Sequence, residues 1–391
     1  MNIFQKFFYK EKPSISQAKS TQESIFTKLT QRQKFIYNVD MGAWRMAHEQ
    51  AIDVYRPRKE ALMRVYEESM LDTFLSGKLQ TRTLNVLNTP FKIVDSEGEK
   101  VEELTNKLNK KWFYTFLKEV CNSIFYGYSL VEFSFDVNGE IIETILIPRE
   151  NVLPELNSFL TDVYNENLVP ISDYQNTAIL IGEKNDLGLL LKTAPHAIMK
   201  RHSKAFWSRY QELYGIPFRM AKYDGNNQKI INDLETNLKN MGSAAYGVFP
   251  SGAELSFIET TGTDAYNVFL EGIRQCNEEI SQCILGVTAS QTDSGSFARD
   301  KVSYEKEGDI SFADLRLCEF VINDQLLPLL SKWSYNFEGL TFTFEPNTKL
   351  PLANTQLEID TMIAQYFDIE ESYILDTYGV PVTKKLQAQQ I

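Results

Sequence analysis

Residues 263–286, TDAYNVFLEGIRQCNEEISQCILG, run into 287–301, VTASQTDSGSFARDK, and then into 302–333, VSYEKEGDISFADLRLCEFVINDQLLPLLSKW. In the first piece Phe269, Ile273, Cys276, Ile280, Cys283 and Ile284 recur at steps of four, three, four, three and one, which is one face of a helix. Glu271, Gln275, Glu278, Glu279 and Gln282 fill its other sides. Thr263 or Asp264 is placed to cap its start and Gly286 to end it. The second piece is small and hydroxylated, offers little to a core and reads as a mobile polar loop. The third restores an apolar pattern through Phe312, Leu315, Phe320, Ile322, Leu326 and Leu327. A helix, a polar loop and a return helix leave a loop that must face something other than its own core.

Working outward, a chain of 391 residues has room for two or three domains and a sizeable core. No window supplies the roughly 18 consecutive apolar residues of a membrane span, and MNIFQKFFYKEK at residues 1–12 lacks a signal-peptide core, so the expectation is a protein of the cytoplasm or one assembled from it. Cys121, Cys276, Cys283 and Cys318 are scattered without a CxxC and read as buried free thiols. A net charge of -12 argues against a general basic surface that wraps DNA, though not against a protein past which DNA must slide.

In chain order, residues 1–40 read as an exposed basic arm. Helices are expected over Met41–Gln50 and Pro57–Ser76, with Pro57 at a first helical position and Gly77 as a stop, followed by a strand over Thr81–Val94 broken at Asn88-Thr89-Pro90. Val101, Leu104, Leu108, Trp112, Phe116, Val120 and Ile124 predict one long helix. Tyr128–Phe135 and Ile141–Ile147 form a hairpin through Asn138-Gly139, and shorter strands are expected near Phe159–Tyr164 and Thr177–Gly182. The fold class is therefore α+β, with helices on small antiparallel sheets. From Pro195 a helix carries Lys200, Arg201, Lys204 and Arg209, whose charge complements the acidic residues of 264–285 if the two helices pack together. Between them lies a small α/β insert: an extended IPFRMAKY, a turn at Asp224-Gly225, a helix over Gln228–Met241, and strands at Tyr246–Phe249 and Leu255–Glu259. A strand in LTFTFEP and a helical pattern through Ile359, Met362, Ile363 and Phe367 close the chain.

The search for chemistry finds no phosphate loop, HExxH or GxSxG. His196 and His202, six apart, turn away from each other on a helix, so no shared metal is expected, and neither metal nor cofactor is assigned. The cluster Arg56, Arg58, Lys59 and Arg64 reads as a charged helix start with a neighbour rather than a phosphate site. Trp112, Phe113, Tyr114 and Phe116 read as core rather than as a stacking platform for bases.

The order of parts resembles the portal proteins of tailed phages, in the branch found in Mu-like phages and prophages. The resemblance is carried by YGIPFRMAKYD at 214–224, MGSAAYGVFPSGAELSFIE at 241–259, NEEISQCILGVTASQTDSGSFARDKV at 277–302, FVINDQLLPLL at 320–330 and QYFDIEESYILDTYGVP at 365–381. What it implies is a non-enzymatic ring, usually of twelve subunits, at one capsid vertex of the virion, assembled in the host cytoplasm, through which double-stranded DNA is packaged and ejected. By this resemblance residues 1–40 are an arm, 41–194 an α/β wing, 195–215 and 263–286 stem helices, 216–262 a clip, 287–301 a tunnel loop, 302–350 a return helix and wing, and 351–391 a short helical end. It implies a DNA-facing loop with Gln291, Thr292, Ser294, Ser296, Arg299 and Lys301, and a channel lining or subunit contact with Glu271, Glu278, Glu279, Lys200, Arg201 and Lys204. Lys222, Tyr223, Asp224 and Lys229 of the clip would dock partners. Those implied are the terminase large subunit, head-completion or adaptor proteins and the major capsid protein, with no membrane. A DNA-processing enzyme of a mobile element and a cytoplasmic protein-binding scaffold stay open as alternatives.

Overall fold

A computed structural model describes residues 24–30, 39–136, 139–165, 167–214, 219–223, 225, 227–240, 246–249, 265–287, 297–333, 335–345 and 360–363. The chain begins with α1 (Ile25–Lys28), α2 (Met41–Ala51), α3 (Glu60–Ser69) and α4 (Thr73–Leu87), then β1 (Phe91–Val94), α5 (Glu102–Leu108) and α6 (Lys111–Tyr126). Next come β2 (Tyr128–Phe135), β3 (Ile141–Leu146), β4 (Val152–Leu153), β5 (Ser158–Leu160), β6 (Leu168–Pro170) and β7 (Ala178–Gly182). After them run α7 (Leu190–Tyr214), β8 (Arg219–Lys222), α8 (Gln228–Asn240), β9 (Tyr246–Phe249), α9 (Ala265–Leu285), α10 (Phe297–Val321), a π-helical turn (Ile322–Leu326), α11 (Leu327–Lys332) and β10 (Thr341–Phe344).

The centre is the antiparallel sheet β3-β2-β7. Its middle strand has both faces covered, so its first six residues are buried in succession and do not alternate in polarity. Tyr128 and Leu130 face one apolar cluster, built with α2, α3, α4, α7 and α9; Val131 and Phe133 face a second, built with α6, α10 and β10. Each fully buried apolar side chain contributes about 1.5–3 kcal/mol, and Trp112, Phe113 and Phe116 of α6 are all buried in the second cluster while Tyr114 is exposed. Trp112, Phe113 and Phe116 are thus core, as the sequence suggested, whereas Tyr114 faces outward.

The expected strand at Thr81–Val94 is a helix as far as Leu87. Asp72 caps α4 by accepting from Phe74 N and Leu75 N at 3.1 and 3.0 Å, and Leu75, Leu79, Thr83 and Val86 keep a helical repeat toward the core. Packing of that face outweighs the strand preference of its threonines, whose hydroxyls donate to carbonyls four residues back. Gly77 lies inside α4, and Pro57 precedes the start of α3 at Glu60; the break falls at Met70–Asp72 instead. The single helix expected over Val101–Ile124 is divided at Asn109-Lys110, where Lys110 is extended. Thr105 ties the first part to β1, accepting from Ile93 N and donating to Val101 O.

β10 pairs antiparallel with β1, and its outer edge is closed by side chains of α10 and the π-turn. Asn323 exchanges two hydrogen bonds with the Phe342 backbone at 2.7 and 2.9 Å, and Glu319 accepts from Phe344 N at 2.8 Å. An unpaired strand edge is thereby satisfied without another strand. β8 and β9 pair in parallel through α8, the small α/β unit expected of the insert, although its predicted strand at Leu255–Glu259 lies outside the described residues. Cys121, Cys276 and Cys318 are buried and Cys283 half-buried, all as free thiols.

Candidate functional site

α7 and α9 pack along each other as an antiparallel pair. Tyr210 meets Phe269 with ring centroids 6.0 Å apart, and a Cβ at Gly272 would lie 3.9 Å from Ser203 Oγ. The basic and acidic helices are therefore neighbours within one chain. Their charges, however, do not meet as the sequence suggested.

Lys200 is buried, its Nζ 2.9 Å from Asp72 and 5.2 Å from the centre of the Phe74 ring. Arg201 donates to Glu68 at 2.9 Å and to Val39 O at 2.6 Å. Both cations point into the body, toward α3 and α4, so neither serves as a free cation of an outer face; that expectation is corrected for Lys200 outright, because a buried ammonium cannot line a channel. The spacing along α7 gave no sign of this, since Asp72 and Glu68 precede their partners by more than a hundred residues. Lys204 is exposed, as are Glu271 and Glu279, while Glu278 is half-buried. Glu271 has Arg274 at 3.4 Å on the same exposed turn; among the described residues Glu278 and Glu279 have no ion pair. α9 therefore keeps an acidic outer face.

The root of the pair is fixed from three sides. Gly127, Gly182 and Gly188 have φ of +90°, +105° and +71°, and a Cβ on any of them would come within 2.3 Å of a backbone oxygen. This close crossing lets the end of α6 meet the turn that launches α7, and Tyr66 donates to Leu187 O in that turn at 2.6 Å. Burial raises the Tyr66 phenol far above its usual range. On the other helix, Ile280, Ile284 and Leu285 are buried in the first cluster. Arg82 then forms a two-pronged ion pair with Asp314 of α10 at 2.7 and 2.8 Å, and its third nitrogen donates to Ile284 O at 2.7 Å. One guanidinium thus holds a C-terminal carbonyl of α9, that of Ile284, and Asp314 of α10 together. Arg82 and Asp314 were not foreseen: they lie 232 residues apart.

Gly286, at φ +71°, ends α9 as expected. Helix α10 begins at Phe297, so Arg299 and Lys301 belong to its first turns rather than to a loop running to 301. Gln291, Thr292, Ser294 and Ser296 lie outside the described residues, as does Asp224. In the insert Lys222 and Lys229 are exposed and Tyr223 is half-buried. Arg58 and Lys59 turn inward to Val163 O and Glu155, and Arg64 pairs with Glu60 one turn before it on α3, so these three meet neighbours in the chain. Among the described residues no three of His, Cys, Asp and Glu gather as a metal site, and no helix is long and apolar enough to cross a membrane.

A protein-family profile described as the portal protein of Mu bacteriophage matches residues 63–380. The portal protein of Escherichia phage Mu is 24% identical over 283 residues, which cover 66% of this chain and 55% of that protein. The Mu-like prophage FluMu protein gp29 of Haemophilus influenzae is 30% identical over 153 residues, covering 38% of this chain and 29% of that one. The chain thus spans about half the length, or less, of the curated relatives it matches. Among solved structures, an HK97-family phage portal protein from Corynebacterium diphtheriae aligns at TM-score 0.39 and 12% identity, over 77% of this chain and 96% of the other. A chain from the neck of an empty gene transfer agent particle, computed with C6 symmetry, aligns at TM-score 0.48 and 13% identity, over 88% of this chain and 100% of that one.

Proposed function

The chain belongs to the portal-protein family of bacteriophage Mu, and from that membership we propose that it acts as a portal subunit, one of a ring of copies around a channel for double-stranded DNA. The single observation that carries this reading is the family match across residues 63–380, most of the chain. The rigidly rooted pair α7/α9 supports it. Repeated around a ring, the outer acids Glu271 and Glu279, with half-buried Glu278 beside them, give a wall that repels phosphate, and a duplex in such a channel meets few contacts on which to stall. The ring is a structural, non-enzymatic conduit, of twelve subunits, at one vertex of the virion after assembly in the host cytoplasm.

In this reading residues 287–296 and the first turns of α10 form the tunnel loop, with Arg299 and Lys301 making brief backbone contacts too few to hold DNA. The insert between α7 and α9, through Lys222, Tyr223, Asp224 and Lys229, docks the terminase large subunit during packaging and head-completion proteins afterwards. The body, with α2 to α6 and the central sheet, faces the major capsid protein. Shortening Gln291–Ser296 tests the loop assignment in a phage that carries the variant. Rings form at normal yield while the number of DNA-filled heads falls; filled heads at the normal number would overturn the assignment.

A further inference from the structure

Arg82 of α4 touches more elements than an ion pair requires. Its Nε and Nη2 donate to the two carboxylate oxygens of Asp314 at 2.7 and 2.8 Å, and its Nη1 donates to Ile284 O at 2.7 Å. The same guanidinium lies 5.9 Å from the centre of the Phe125 ring, at the end of α6. One turn on, Asn85 Nδ2 donates to Ser311 Oγ at 3.1 Å, so positions 82 and 85 of α4 grip positions 314 and 311 of α10. The end of α9 closes the same spot, since a Cβ at Gly286 would meet Ile310 Cδ1 at 3.0 Å. Asp314 is 4% exposed, and among the described residues Arg82 provides its hydrogen bonds. A lysine has no planar fork and could not serve the carboxylate and the carbonyl together.

The grip sits partway along α10. Beyond it Leu315, Cys318, Val321 and Ile322 are buried in the second cluster and keep that half of the helix in the body. Ahead of it α10 runs back to Phe297, which at about 1.5 Å per residue puts about 20 Å of helix on the near side of Ile310. A lever of that length turns a tilt of about 10° at the grip into a shift of about 3 Å at Phe297. We propose that Arg82 is a positioning residue: by tying Asp314 to Ile284 O it sets the angle at which the leading half of α10 leaves the body relative to the end of α9, and with it the place of the turns at 297–301. The consequence for DNA rests on the portal reading above, whereas the angle itself does not.

Arg82→Lys in the full chain tests this, read by backbone hydrogen exchange. Amides of 297–309 and 281–287 exchange at least about tenfold faster, as expected where a charge-assisted hydrogen bond is lost locally, while those of β2 and α3 keep their rates. Lys59→Met serves as the comparison, because it breaks a buried ion pair, with Glu155, that touches neither α9 nor α10; it leaves the 297–309 amides as they were. Unchanged exchange over 297–309 in Arg82→Lys, a rise spread evenly along the chain, or the same rise in Lys59→Met would overturn the assignment. If Arg82→Lys yields no folded protein, Asn85→Ala gives up only the Ser311 contact and shows the same pattern at smaller size, with the same contrary results counting against it. In a phage that carries Arg82→Lys, rings form at normal yield and DNA-filled heads fall in number; a normal number beside altered exchange would overturn the placement of the 297–301 turns in the channel. An unaltered chain that never forms rings would instead remove the portal reading, and the exchange pattern alone would then judge the grip.

Discussion

The two ends of the α7/α9 pair are built by different rules. At the root, residues 190–201 of α7 and 276–285 of α9 each bury one face in the body and are held by Lys200–Asp72, Arg82–Asp314 and the crossing of three glycines. Toward the tip, Phe206 and Val268 are exposed, and the helices hold mainly each other, through Tyr210 with Phe269. One continuous helix therefore serves as core along its first half and as surface along its second. The difference teaches where substitutions report on the subunit and where they report on what the subunit meets: damage at the root lowers stability, and damage at the tip leaves stability alone.

The sharpest break of that contrast is at Gly188, where a Cβ would meet Phe125 O at 2.2 Å and Gly127 N at 2.4 Å, on a backbone with φ +71°. Gly188→Ala costs more than about 4 kcal/mol, seen as loss of soluble, cooperatively melting protein. Lys200→Met comes next. Removing one partner of a buried ion pair costs about 3–5 kcal/mol, and the lower end applies because Asp72 keeps its two backbone donors. Denaturant melts of this variant measure it. A smaller effect is expected from alkali: tyrosines of the unfolded chain ionise near pH ~10, while the buried Tyr66 and Tyr128 resist ionisation, both raised first by burial. Above that pH the folded state binds more protons than the unfolded one, so stability falls as pH rises. Tyr66→Phe flattens the fall, read as melting temperature against pH. At the tip, Phe206→Ser and Glu271→Gln stay within about 0.5 kcal/mol of the unaltered chain in the same melts. A large loss there would show that the tip is core after all and erase the contrast.

The same contrast explains what the sequence could tell. The face of α9 is legible because its apolar residues keep one period along a single environment, and Gly286 marks its end for a local reason. Strands β2 and β3 are legible from the turn between them. By contrast, Thr81–Leu87 carries strand-like residues that a distant core recruits into a helix, and the division at Asn109-Lys110 interrupts a period that continues across it. The charges of α7 promised complementarity with α9 but found it in Glu68 and Asp72, because which side chain a cation meets is settled by tertiary packing and not by spacing. The Arg82–Asp314 clamp was invisible for the same reason. The insert's identity as a small α/β unit was readable from its order of strand, helix and strand.

The most direct test of the account is electron microscopy of the full chain, imaged alone across a concentration series and after co-expression with its capsid protein. The account predicts closed rings with a central channel wide enough for a DNA duplex, lined by the α9 face that carries Glu271 and Glu279. Single subunits under every condition, or rings whose channel is closed or lined by another element, would contradict it.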